Sequence, residues 1–214
     1  ISGYTKAIRD GKVPPEKINN YLELIDSRAE ELNRLVNSFH EYSKVEHPEF
    51  ALNPEETDIC EFMRGYLADR YDEIEISGFS LHAMIPERVV WCSLDSYQMR
   101  RALDNILYNS IKHNSLGTVI AVGVTELEEA EEGKQGQVRI VVADNGTGIS
   151  REAGENIFEP FVTGDKSRSG DGSGLGLAIT KRIVTAHGGT IKLCEPRPDG
   201  FSTEFEIILP THLR

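Results

Sequence analysis

What the chain has little of narrows its class before any motif is read. Across 214 residues it carries three cysteines, Cys60, Cys92 and Cys194, isolated and odd in number. That spacing builds neither a zinc site nor a disulfide framework, so each is expected as a small apolar side chain in a reducing compartment. The six histidines show no metal-ligand spacing either. No apolar run approaches the roughly 18 residues of a membrane-spanning helix, and no secretory leader is expected. Positive charge is scarce: 23 Lys and Arg stand against 35 Asp and Glu, for a net charge of −12. A nucleic-acid binder would carry a basic stripe, so nucleic acid is excluded as the expected partner. An anionic ligand would need help from backbone N–H groups, a metal ion or a few placed cations.

What remains is a soluble globular composition, 39% hydrophobic and 27% charged. The length suits one sizeable domain plus a smaller unit. The chain begins at Ile1 without Met and is expected to be part of something longer. Residues 16 to 46 give the clearest helix, started by Pro14 and Pro15 with an acidic first turn. Ile18, Leu22, Ile25, Ala29, Leu32, Val36 and Phe39 recur at steps of four and three, an a/d seam of three heptads. The preceding Ile1–Asp10 reads as the end of another helix, turned back through Gly11–Pro15. So short a partner cannot cover so long a seam, and a bundle completed by a second copy is expected.

His47-Pro48 ends the helix and opens a linker. Beyond it, helices are expected at 58–72, 96–113, 150–158 and 175–187. Strands are expected at 79–85, 88–92, 117–127, 137–143, 189–194 and 202–209, with a polar loop over 159–174. The fold class is α+β: a two-layer α/β sandwich, a mixed sheet with helices on one face, preceded by an α-helical hairpin of four-helix-bundle type. The organisation is a hairpin over 1–50, a linker over 51–57 and a second domain over 58–214.

Three stretches carry chemistry. In Val138–Ala143 a β-branched strand empties into Asp144-Asn-Gly-Thr-Gly148, a turn where φ goes positive and the backbone can approach something closely. In "RRALDNILYNSIKHN", Met99, Leu103, Ile106, Leu107, Ser110 and Ile111 fall on one helix face. Arg101, Asn105, Asn109, Lys112 and His113 fall on the other. Asparagine is a mediocre helix former, and two amide oxygens on one stripe beside a cation suit a hard Mg²⁺ ion. In "SRSGDGSGLGLAITKRIV", glycines at 170, 172, 174 and 176 open an amphipathic helix whose N–H groups suit phosphate. The spacing matches neither the dinucleotide fingerprint nor a P-loop.

Taken in order, these stretches resemble the catalytic and ATP-binding region of the sensor histidine kinases of two-component systems, a Bergerat-type fold. The N box is Asn105–Asn114, the G1 box Asp144–Gly148, the F box Phe158–Phe161 and the G2 box Gly172–Leu177. His187-Gly-Gly-Thr-Ile191 resembles the segment after the G2 helix, and Gly200–Pro210 the closing strand. Residues 1–50 resemble part of the dimerisation and phosphotransfer hairpin. The family's phosphoacceptor histidine would lie before Ile1, and His40 and His47 do not match its motif. Thr163 stands where an arginine often follows the F box, while Lys166 and Arg168 match the basic residues after it.

The resemblance implies ATP and Mg²⁺ as cofactors, with transfer of the γ-phosphoryl group to a histidine of the dimerisation helix. Asn109 would ligate the metal, Asn105 would support the site, and Lys112 would contact phosphate. Asp144 would accept a hydrogen bond from the adenine amine, with Gly146, Gly148 and Ile149 closing on the base. His113, Phe158, Lys166, Arg168, Gly172, Gly174, Leu175, Gly176, Leu177 and Thr203 complete the implied nucleotide site. The implied partners are a response regulator receiver domain and a second copy through the hairpin, in the cytoplasmic part of a membrane sensor whose present segment makes no membrane contact. Two rivals stand beside this reading. One is an ATP-hydrolysing domain of the same fold, which would use a glutamate one turn before the metal-binding asparagine; Asn105 stands there, so slow hydrolysis at best is expected. The other is an ATP-sensing interaction module without phosphotransfer.

Overall fold

Two kinds of apolar periodicity become two kinds of packing. The computed structural model describes residues 2–132, 134–162, 173–195 and 200–212. Helix α1 (Ser2–Arg9) turns at Gly11, whose φ of 66° is reached without strain by glycine. A single 3₁₀ turn at Pro15–Lys17 then leads into α2 (Ile18–Glu46). Tyr4 and Tyr21 meet edge to face across the hairpin. Much of the seam is bare: Leu22, Leu32, Val36 and Phe39 are 51–56% exposed, while Ile18, Ile25 and Ala29 are half-buried.

The far end of α2 is anchored instead. Val45 is fully buried, and Tyr42 and Phe50 pack against the core of the second domain. That domain opens with β1 (Glu55–Asp58), antiparallel to β3 (Trp91–Leu94). The linker expected over 51–57 is thus in part structured. Its strand shows no apolar alternation, because the pairing with β3 is a tertiary contact. Asp58 caps α3 (Ile59–Ile76) by accepting from the Cys60 N–H, and the same oxygen accepts from Val90 N–H. Helix α3 runs past its expected end at 72, carrying Ile74 into the core. Strand β3 also lies later than the 88–92 expected.

The main sheet has the order β2 (Ser80–Met84), β4 (Val119–Glu128), β5 (Gly136–Asp144), β7 (Thr203–Thr211), β6 (Thr190–Leu193). Strands β2 and β4 are parallel and every other pair is antiparallel. Registers Val124–Ile140–Ile207 and Val122–Val142–Phe205 put β-branched and aromatic side chains on one face. That face packs on α3, α4 (Ser96–His113) and α6 (Gly176–Ala186) through Met63, Met99, Leu103, Ile106, Ile179 and Ile183. The mixed sheet with helices on one face is therefore as expected. On the other face Arg139 bridges Glu204 and Glu206, and Lys192 reaches Glu206 at 2.7 Å. Burial and these cations oppose one another at Glu206, and the cations win, holding its carboxyl below the usual range. The short α5 (Arg151–Glu155) is capped by Ser150. Among the described residues no helix is long and apolar enough to cross a membrane.

Candidate functional site

Helix α4 is the spine on which the chemistry-bearing stretches meet. Asp95 caps it through Gln98 N–H, and its apolar face is buried on the sheet. Near its C-terminal end, Ser110 Oγ donates to Asp144 Oδ2 at 3.0 Å. Asp144 Oδ1 accepts from Gly146 N–H at 3.1 Å. Asp144 as a residue is 2% exposed. Asn114 holds the turn itself, its Oδ1 accepting from Thr147 N–H at 2.8 Å and its Nδ2 donating to the Ser110 carbonyl at 2.9 Å. The approach is so close that a Cβ at Gly146 would stand 1.8 Å from Asn114 Oδ1, so only glycine fits. Gly148, at φ 73°, lies against Ser202, and Ser202 N–H donates to the Asp144 carbonyl at 2.9 Å. Thr203, buried, is the β7 partner of Asp144 in the sheet register.

One turn nearer the start of α4, Asn105 faces the beginning of α6. Its Nδ2 donates to the Gly176 carbonyl at 3.0 Å. Asn105 is thereby a tie between two helices, a duty that periodicity alone does not reveal. Gly174, at φ 66°, accepts from Phe161 N–H at 2.9 Å. A Cβ there would come within 2.8 Å of the Phe161 and Val162 backbone. Whereas α3, α4 and α5 begin with a side-chain cap, α6 has Leu175 at its N-cap and no cap hydrogen bond. Leu175 N–H is met by Ser173 Oγ at 3.3 Å, while the N–H groups of the first helical turn have no side-chain cap among the described residues, at the positive end of the helix. Leu175 and Leu177 are core side chains, so backbone is what they can offer.

Asn109 lies between these two junctions, one residue before Ser110 and one turn after Asn105. It is half-buried, and its amide has no hydrogen-bond partner among the described residues. Lys112 places its ammonium 5.8 Å from the centre of the Tyr108 ring. His113 is exposed, yet desolvation of the ring, and then Lys112, hold its pKa below the ordinary histidine value. Phe158 sits edge to face on Phe205, and half-buried Ile149 also packs against the core. Lys166, Arg168 and Gly172 lie outside the described residues, as does Thr163. Arg101, placed by periodicity on the Asn109 face, turns to α2, where Glu41 accepts from it at 2.6 Å.

The donor set fits a metal-bound nucleotide. An unpartnered amide oxygen suits a hard cation, a buried carboxylate suits an amine, and an uncapped helix start lined by obligatory glycine suits phosphate. Asp104 is turned elsewhere: Arg70 grips both its oxygens at 2.9 Å and the Tyr66 hydroxyl donates at 3.0 Å. A groove of about 350 Å³ lined by His40, Lys44 and His47 lies at the end of α2 and includes none of the site residues. Among the described residues the one other cluster of metal-ligating type is Cys194, Glu204 and Glu206, already met by Arg139 and Lys192. Two residues of the site escape the sequence reading. The motif places Asn114 without giving it a duty, and periodicity puts Ser110 on the apolar face, where a hydroxyl needing a partner is the available signal.

Comparison with known proteins agrees with this geometry. The profile of the family described as histidine kinase-, DNA gyrase B- and HSP90-like ATPases matches residues 94–213. The sensor protein GtcS of Aneurinibacillus migulanus is 35% identical over 183 residues, covering 85% of this chain and 48% of that protein. The chain thus spans about half the length of that relative. Full-length ShkA, solved in complex with AMPPNP, is 25% identical with a TM-score of 0.68, over 94% of this chain and 40% of its own. Histidine kinase ThkA, solved in complex with the response regulator protein TrrA, shares the fold at 22% identity and a TM-score of 0.70, over 98% of this chain and 56% of its own. The chain belongs to the histidine kinase-, DNA gyrase B- and HSP90-like ATPase family and carries the catalytic-domain fold of a sensor histidine kinase.

Proposed function

We propose that this chain is the ATP-binding kinase part of a two-component sensor histidine kinase, moving the γ-phosphoryl group of ATP to a histidine on a dimerisation helix. The observation that carries the reading is the meeting of Asp144, Asn109 and the start of α6 on one half of α4, through the Ser110–Asp144 and Asn105–Gly176 bonds. Asp144 accepts the adenine amine, and its negative charge repels the carbonyl oxygen that guanine carries there. The α6 N–H groups and the Gly174 backbone hold the phosphates. Asn109 offers its amide oxygen to Mg²⁺, supported by Asn105, and Lys112 adds positive charge. The bound metal supplies neutralisation of the charge developing on the phosphoryl oxygens. Phosphoryl transfer needs positioning and charge stabilisation more than a protein nucleophile, so the acceptor imidazole can come from another helix.

The slow-ATPase reading fares less well on these residues. Asn105 cannot take a proton, and the Asp104 carboxylate is occupied by Arg70 and Tyr66. The bare seam of α2 is the surface a second copy would cover, giving the homodimer. A response regulator receiver domain is the partner that then takes the phosphoryl group, as the ThkA–TrrA complex suggests by its composition. The cytoplasm is the compartment for such a relay.

The test has two arms. Calorimetry on the parent chain should show Mg²⁺-dependent ATP binding, weakened about 10- to 100-fold in Asn109→Ala. Labelled ATP and a separate acceptor hairpin should then yield acid-labile, alkali-stable phosphate on that hairpin. Binding without any such transfer would turn the reading into an ATP-sensing module. GTP bound as tightly as ATP would remove the role given to Asp144.

A further inference from the structure

Ser110 is 4% exposed, on a helix face otherwise made of Met99, Leu103, Ile106 and Leu107. A buried hydroxyl is costly without a partner, and a helical serine often settles it on the carbonyl four residues back. Here it reaches across to Asp144 Oδ2 at 3.0 Å, 34 residues away in the chain. The other oxygen, Oδ1, accepts from Gly146 N–H, a bond made within the Asp144 turn itself. Two donors from two different elements leave the carboxylate one orientation. The turn does not depend on Ser110, because Asn114 secures Thr147 N–H independently and Ser202 secures the Asp144 carbonyl.

We infer that Ser110 is a specificity-determining positioning residue, fixing the Asp144 carboxylate so that it reads an exocyclic amine on the purine. This rests on the reading of Asp144 given above. A carboxylate accepts at every lone pair, so its selectivity comes from where those lone pairs point. The hydroxyl takes one lone pair of Oδ2 and fixes the direction of the others, with the water-excluded surroundings strengthening the bond. The residue before Ser110 is Asn109. One helical step therefore sets both the amide offered to the metal and the carboxylate offered to the base, and the two ends of the nucleotide are registered by a single rigid element.

The experiment compares ATP with purine riboside triphosphate, which lacks the 6-amine and is otherwise the same ligand. Both are titrated with Mg²⁺ into the full chain and into Ser110→Ala. The parent should prefer ATP. In Ser110→Ala the ATP affinity should fall about fivefold while the deaminated analogue changes by less than about twofold, so the preference shrinks. The quantity read is a ratio within one protein, so any loss of folded material cancels. An unchanged preference in Ser110→Ala, including a uniform drop for both ligands, overturns the inference and leaves the pocket reading intact. No preference in the parent overturns both together.

Discussion

Helices α2 and α4 both carry an apolar stripe, and they treat it in opposite ways. Of the 29 residues of α2, Val45 is the one that is buried. The 18 residues of α4 bury Met99, Ala102, Leu103, Ile106, Leu107 and Ser110. Periodicity states that a face is meant to be covered and leaves open by what. For α4 the cover is the sheet, supplied by the same chain. For α2 the seam waits for something else, and the helix touches the sandwich at its last turns, through Glu41, Tyr42 and Val45. The lesson is that equal patterns give unequal stability, according to where the partner surface comes from.

The sharpest way to break that contrast is to truncate one leucine on each helix. Leu103, 1% exposed, sits against the sheet, and Leu103→Ala should cost about 2–5 kcal/mol in urea unfolding. Leu32, 53% exposed, should cost about 0.5 kcal/mol or less as Leu32→Ala when the chain is monomeric. If instead the Leu32 variant loses as much, and the loss grows with protein concentration, a second copy covers the seam and the two helices are alike after all.

The same contrast explains what could be read from the sequence. Helix α4 is legible to its ends because Asp95 caps it, its stripe is regular and Asn114 leaves the helical conformation. The glycine at 146 is legible as a place of close approach, and the structure supplies what approaches, Asn114; Gly174, legible as part of a phosphate-type glycine run, proves to be pressed against the Phe161–Val162 backbone. Strand β1 is illegible because Glu-Glu-Thr-Asp has no apolar alternation and exists through its pairing with β3. The duties of Asn105, Ser110 and Arg101 are illegible for a common reason. Each is decided by a partner far along the chain, at Gly176, Asp144 and Glu41, and helical periodicity reports a direction without saying what lies there.

His187 offers a smaller test, at the seam between two helices that are both well covered. Its Nε2 accepts from Asp95 N–H at 2.9 Å while Nδ1 lies 2.8 Å from the Ile183 carbonyl, so the neutral ring with its proton on Nδ1 satisfies both. Burial, against the opposing pull of the Ile183 bond and Asp95, holds its pKa below the ordinary histidine value. The folded state therefore takes up this proton at a lower pH than the unfolded chain. The contribution is present above the unfolded pKa of about 6.5 and is lost as pH falls through the folded value. The slope from this group is no steeper than about 1.4 kcal/mol per pH unit. His187→Gln keeps a donor and an acceptor and does not titrate. The parent-minus-variant stability should decline below about pH 6.5, and a flat difference would assign the acid sensitivity to other groups.

The smallest effect probes the junction where the two regions touch. Arg101 on α4 meets Glu41 on α2 at 2.6 Å, with side chains 21% and 35% exposed. Nearby, Arg182 Nε on α6 donates to the Val45 carbonyl at 3.0 Å. Lys44 first, opposed by partial burial and then joined by Arg101, holds the Glu41 carboxyl below the usual range, so the pair is charged at neutral pH. Solvent reaches both partners, and a double-mutant cycle with Glu41→Gln and Arg101→Gln should give a coupling of about 0.2–1 kcal/mol, shrinking in salt. Because the tie joins α2 to the helix that bears Asn109, the informative readout is paired: hydrogen exchange of the α2 C-terminal turns alongside ATP affinity. Faster exchange with unchanged affinity would mean that the hairpin merely rests on α4. A parallel change in both would make the tie a route by which movement of the bare seam reaches the nucleotide site, and the two helices would then differ in their cover but not in their function.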